Sequence, residues 1–154
     1  MVRMSGANKD LFARCEIAFI DDIAPWAENY VKTAVKLGMI NGYATYEGET
    51  LVGYTFQGDK TATRAEFIRV MMNVLLGDID EFYKENEAGI NEIAAAAELK
   101  DFDKVPNWAK SSMYTAIAFG YISGDDNGNV NSDGLITRNE AATIIARLLQ
   151  NVGM

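Results

Sequence analysis

Two arginines stand where a folded chain can hold a negative charge. Arg64 lies in Thr63-Arg64-Ala65-Glu66 and Arg138 in Thr137-Arg138-Asn139-Glu140, and each tetrad opens an apolar run at helical spacing. Thr and Glu three residues apart before such a run form a capping box. The hydroxyl accepts a first-turn amide and the carboxylate reaches back to the Thr amide. Thr63, Glu66, Thr137 and Glu140 therefore have a structural task, which leaves the arginines unexplained. A helix start offers unpaired amides and the positive end of the dipole, and a guanidinium adds a planar fork suited to a carboxylate. The chemistry this suggests is capture of an anion rather than bond making. The plainer alternative is that Arg64 and Arg138 are solvated or paired with acids such as Asp59 and Asp133.

Other reactive arrangements are scarce. The sequence has no histidine and one cysteine, Cys15, so the commonest general base and metal ligand is missing and no internal disulfide can form. Cys15 reads as a partly buried, inert small residue. No activated Ser or Cys arrangement and no phosphate loop is visible, so the expectation is a protein that is not an enzyme and needs no cofactor. A glycosidase working through carboxylates alone is the remaining catalytic reading. Calcium is a sharper rival. Asn129-Val130-Asn131-Ser132-Asp133-Gly134, followed by Ile136 and Glu140, has the alternating acceptors, turn glycine and terminal acid of an EF-hand loop. Against it, Asn129 replaces the usual first Asp, Glu140 already belongs to the capping box, and the aligned segment 55–66 lacks the pattern. No metal site is expected.

The elements that must position these residues occur twice. Trp26-Ala27 begins a stretch ending in Gly38-Met39-Ile40-Asn41-Gly42, and Trp108-Ala109 begins one ending in Gly120-Tyr121-Ile122-Ser123-Gly124, without a gap. The pairs Thr33/Thr115, Ala34/Ala116 and Ile40/Ile122 are also identical. Val31, Ala34, Val35 and Leu37 recur at helical spacing, as do Met113, Ala116, Ile117 and Phe119, and Gly38 and Gly120 then suit a left-handed helix end. Pro25 and Pro106 suit the helix start, and Phe19-x-Asp21 and Phe102-Asp103 place an aromatic and an acid upstream. The second helices carry Phe67, Val70, Met71, Val74 and Leu75, and Ala141, Ile144, Ile145, Leu148 and Leu149. From Trp to Thr the first copy is eight residues longer, its loop 43–62 being Gly-rich and aromatic and the second loop, 125–136, polar. Residues 78–100 read as one or two connecting helices. The fold class expected is all-α, tandem helix–loop–helix repeats in one helical domain with at most short extended pieces. Its parts are an N-terminal segment 1–17, repeats at 18–77 and 101–154, and the connector 78–100.

Bulk properties narrow the partners. With 154 residues and 49% hydrophobic content the chain can bury a sizeable core. A net charge of −8 repels phosphate backbones and anionic lipid, so neither nucleic acid nor membrane is an expected partner. No apolar run is long enough to span a bilayer, and the N-terminus lacks a signal-peptide layout, so the chain reads as soluble as given. Residues 1–17 are too short for a further copy, although Leu11-Phe12-Ala13-Arg14 fits the tail of one, and Met1 to Gly6 fit added sequence.

Phe-x-Asp, Trp-Ala, Gly-x-Ile-x-Gly, a Gly-containing loop and Thr-Arg-x-Glu, in that order and twice, resemble the S-layer homology repeat over roughly residues 18–77 and 101–153. The resemblance implies a bacterial surface module that docks non-covalently on anionic secondary cell-wall polysaccharide, often pyruvylated. It implies an extracellular location and maps the sugar-contacting arginines onto Arg64 and Arg138. The first motif matches fully, and the second has Asn139 in place of Ala. Tyr43 and Tyr54 are loop aromatics placed for sugar contact. Trp26 and Trp108 fit ring stacking too, although a Trp repeated at a helix start more often anchors a core. The family usually groups three repeats, so a missing one is expected from self-association with another chain or from a longer parent protein, and a protein–protein module on the same scaffold is the alternative function.

Overall fold

In a computed structural model the described residues are 19–151. Cys15, Met1 to Gly6 and the Leu11–Arg14 remnant lie outside them. The chain divides into two compact units, one running to Lys60 and one from Thr61. This boundary falls inside the first sequence repeat, so the second helix of that repeat packs with the second copy.

In the first unit, α1 (Glu28–Lys36) has an acid in its first turn and a lysine in its last, both favourable to the helix dipole. It stops at Gly38, whose φ is +69°. The Gly38 amide donates to the Val35 carbonyl and the Met39 amide to that of Ala34, both at 2.9 Å, the paired bonds of a Schellman end. The all-α expectation is then corrected. β1 (Tyr43–Glu47) and β2 (Thr50–Thr55) pair antiparallel, with a bulge between Thr45 and Tyr46. Gly48, at φ +62°, opens the two-residue turn between Glu47 and Thr50. The physical reason lies in the side chains: Tyr43, Thr45 and Tyr46 face a strand containing Leu51, Val52, Tyr54 and Thr55, a density of β-branched and aromatic groups that favours a pleated backbone. The fold is helix-rich with one β-hairpin, and the extra length of the first copy lies in that hairpin.

The second unit holds α2 (Arg64–Leu76), α3 (Ile79–Ala95), α4 (Lys110–Ala118) and α5 (Arg138–Asn151). The connector is therefore one helix. Ala65, Ile68, Met71 and Met72 of α2, Ile79, Ile90 and Ala94 of α3, and Met113, Ala116 and Ile117 of α4 are buried together as the core where these three helices pack. Two single 3₁₀ turns, Phe102–Lys104 and Asn107–Ala109, lead into α4. The end of α4 repeats that of α1: Gly120 has φ +71°, and the amides of Gly120 and Tyr121 bond Ile117 and Ala116 at 2.9 Å. The identical Thr33 and Thr115 are fully buried, each hydroxyl donating to the carbonyl four residues back at 2.7 Å.

A polar lock that the sequence pattern does not announce ties α2, α3 and α4. The Arg69 guanidinium spans both carboxylate oxygens of Asp80 and donates to Ser111 Oγ at 2.9 Å and the Trp108 carbonyl at 3.2 Å. The bond from Arg69 holds the Asp80 carboxyl below its usual range against the opposing effect of burial, with Ser111 assisting.

Candidate functional site: two matched loops and two unequal helix starts

Each copy hooks its loop with one carboxylate. Asp21 accepts the amides of Phe56 and Gln57, both at 2.7 Å, and Asp101 those of Val130 and Asn131 at 2.6 and 2.9 Å. Partial burial pushes the Asp21 carboxyl up, but the Phe56 and Gln57 amides, with its own, hold it below its ordinary value. Gln57 and Asn131, equivalent residues, both take left-handed backbone at φ 55° and 53°. Each loop closes the same turn next, Lys60 amide to Gln57 carbonyl at 2.9 Å and Gly134 amide to Asn131 carbonyl at 3.1 Å.

This equivalence corrects the alignment of the upstream acids. The partner of Phe19-x-Asp21 is Leu99-x-Asp101, not Phe102-Asp103. A side chain at Gly42 would begin 2.4 Å from the Phe19 ring, and one at Gly124 2.6 Å from Leu99, so each glycine leaves room for the same neighbour. Phe102 instead stacks on Tyr114 with centroids 4.0 Å apart. Asp101 lies two residues farther from its Trp than Asp21 does, which hid the match.

Both capping boxes form. The Thr63 amide donates to Glu66 Oε2 at 2.8 Å and the Glu66 amide to Thr63 Oγ1 at 3.2 Å, while Thr137 and Glu140 make the same two bonds at 2.9 and 3.3 Å. Beyond the caps the two helix starts differ. The Arg64 amide donates to the Gly134 carbonyl at 2.7 Å and the Ala65 amide to that of Ser132 at 2.9 Å. The second loop thus covers the start of α2, reinforced by an antiparallel bridge between Thr63 and Leu135. The Arg64 side chain is 13% exposed and pairs with Glu140 Oε1 at 2.9 Å. Among the described residues its Nε is buried without a hydrogen-bond partner. The α2 amides that sequence reasoning left open to an anion are already held by protein carbonyls.

At α5 the face is open. Arg138 and Asn139 are exposed, and among the described residues their amides have no partner. The Asn139-for-Ala65 difference follows: Ala65 is fully buried, whereas position 139 faces solvent.

The aromatic candidates divide between the units. Trp26 is 80% exposed, which rules out the core-anchor reading, and Trp108 is 50% exposed. Tyr54 on β2 is exposed, and Tyr43 on β1 is half-buried with the Lys60 ammonium 4.2 Å above its ring. In the second unit Asp101, Lys104, Asn129, Asn131, Ser132, Asp133 and Gly134 line a polar depression of about 300 Å³. The calcium reading of this loop needs Glu140 as its terminal ligand. Glu140 gives one oxygen to Thr137 and the other to Arg64, and among the described residues no cluster of three or more acids, cysteines or histidines is placed to hold a metal.

Glu140 is held below its usual range by the Thr137 hydroxyl and amide and by Arg64, despite some burial, and Asp125 by the Asn129 amide, against partial desolvation, with help from Asn131. With Asp21 and Asp80, four carboxylates have folded-state values below their unfolded ones. Their stabilisation is present above the unfolded carboxylate range, near pH 4, and disappears as pH falls through the lower folded values. Thermal melts should be flat with pH above roughly 5 and fall steeply below about 4. A melting temperature unchanged down to about pH 2 would contradict these hooks.

The sequence profile of the S-layer homology domain matches residues 20–68 and 98–142. A 63-residue stretch, 41% of this chain, is 41% identical to the Surface-layer 125 kDa protein of Lysinibacillus sphaericus. Over 125 residues, 81% of the chain, identity is 30% to Cell surface glycoprotein 1 and 28% to Exoglucanase XynX, both of Acetivibrio thermocellus. The aligned part spans 5 to 10% of the length of these relatives. No solved structure matches the chain.

Proposed function

The chain belongs to the S-layer homology domain family, and from that premise we propose that it is a non-catalytic module anchoring its parent protein to a bacterial cell wall. The ligand we infer is an anionic secondary cell-wall polysaccharide, pyruvylated or otherwise acidic, bound outside the cell. The observation that carries the reading is the α5 start. An exposed guanidinium stands beside two open amides on a protein of net charge −8, a local anion site on an otherwise repelling surface. Arg64 is the guarded counterpart, since a sugar carboxylate there replaces Glu140. Tyr54, Tyr43, Trp26 and Trp108 are the candidate stacking surfaces. The family match and the surface-protein relatives support the anchoring role, and the enzymatic relative shares only a small part of its length with this chain.

The same geometry favours self-association. The second loop caps α2 through Ser132, which is buried, while Gly58, its equivalent in the first loop, is exposed, as is the α5 start. In this reading the first loop of a second copy covers α5 as the second loop covers α2, a head-to-tail contact.

The test is co-sedimentation with wall fragments, with and without chemical removal of the polysaccharide, alongside the solution mass by light scattering. Arg138→Ala should weaken binding about tenfold, the loss expected for one charge-assisted contact. Arg64→Ala should weaken binding and also lower the melting temperature, and salt should reduce binding in the native protein. Undiminished sedimentation of the folded double variant overturns the arginine site. Equal binding to stripped walls points instead to a protein partner. A monomer that still binds wall removes the self-association reading alone.

A further inference from the structure

The chain contains two Asn-Gly steps, Asn41-Gly42 and Asn127-Gly128, and the structure treats them oppositely. Asparagine before glycine is the thermolabile arrangement, because a residue without a side chain leaves its amide nitrogen free to approach the asparagine carboxamide. Whether it does so depends on what holds that nitrogen.

At the second step the backbone amides are held. The Gly128 amide donates to the Asp125 carbonyl at 2.8 Å, and the amides of Asn127 and Asn129 both donate to Asp125 Oδ1 at 2.9 Å. The Gly128 carbonyl accepts the Lys100 amide at 2.9 Å. Attack by the Gly128 nitrogen requires breaking its hydrogen bond and forming a partial negative charge close to the Asp125 carboxylate, which opposes it. At the first step Asn41 is exposed, and among the described residues neither its carboxamide nor the Gly42 amide has a hydrogen-bond partner.

We propose that Asn41 is a site of spontaneous deamidation and that the Asp125 turn protects Asn127. In the reaction the Gly42 nitrogen attacks Asn41 Cγ. The new N–Cγ bond closes a succinimide, the Cγ–Nδ2 bond breaks, and ammonia leaves with the proton lost from the Gly42 amide. Water then opens the ring at either carbonyl, giving aspartate or isoaspartate. Either product adds a negative charge two residues before Tyr43. Isoaspartate also adds a methylene to the main chain where Gly42 has φ +74° and closely approaches the Phe19 ring and the Thr55 carbonyl. The consequence is an age-dependent loosening of the start of β1.

The experiment holds the full chain, folded, in mildly alkaline buffer. Samples taken over time are digested and mapped by mass spectrometry, with isoaspartyl methyltransferase labelling to separate the two products, and a urea-unfolded sample runs in parallel. In the folded chain product at Asn41 should form about tenfold faster than at Asn127, the ratio expected from one protected amide, and the two rates should converge when unfolded. Asn41→Gln should abolish the faster signal and leave the slower one. Equal or reversed rates in the folded chain, or an intact Asn41 when the unfolded chain reacts, would overturn the proposal.

Discussion

Replacing Ala65 by asparagine should lower the melting temperature by on the order of 10 °C, while the reciprocal Asn139→Ala should leave it level or slightly raised. The two positions occupy the same place in the two Thr-Arg-x-Glu tetrads. Ala65 is fully buried, and its amide already donates to the Ser132 carbonyl. An asparagine there forces a larger, polar group into a fully buried position, at roughly 1–3 kcal/mol for overpacking alone. Asn139 is exposed at the start of α5, so alanine there changes little beyond a helix propensity gain of at most about 0.7 kcal/mol. Differential scanning calorimetry of both variants decides the matter. Equal shifts would mean that position 65 is no more enclosed than position 139.

Loss of the Asp101 carboxylate should have a comparable effect with a different signature. Asp101→Ala removes the acceptor for the Val130 and Asn131 amides, and Val130 is buried, so at least one donor is left without water or protein. The expected cost is about 1.5–3 kcal/mol, the range for hydrogen bonds to a charged group. The distinguishing readout is hydrogen exchange. Because the loop that Asp101 hooks also carries the Ser132 and Gly134 carbonyls, the amides of Arg64 and Ala65 should exchange faster although both lie far away in sequence. Unchanged protection at those two amides would show that the hook and the α2 cap are independent. Asp101→Asn should recover part of the loss, since an amide oxygen still accepts, though without the charge.

Both effects depend on how one part of the chain closes on another, which residue order alone does not carry. The capping boxes, the glycine helix ends and the internal repeat were visible because each is written within a few consecutive residues and its energetics are local. The hairpin is not legible in residue order because a glycine- and tyrosine-rich stretch that alternates over only five or six residues reads equally well as a long loop. Its identity depends on the pairing of Tyr43 with Thr55 across a turn. Leu99-x-Asp101 is hidden because two additional residues before Trp108 break the register, and only the hydrogen bonds from Val130 and Asn131 reveal the match.

The position of the two tetrad arginines in the first turn of capped helices is written in local residue order, since Thr and Glu at that spacing suffice to start a helix. Their difference is not. Arg64 is largely enclosed and paired with Glu140, seventy-six residues away, while Arg138 stands in solvent. Burial and ion pairing depend on which distant segment closes over a helix start, and that segment is the second loop for α2 and, among the described residues, none for α5. Two nearly identical motifs were thus given unequal availability to a ligand by tertiary packing alone.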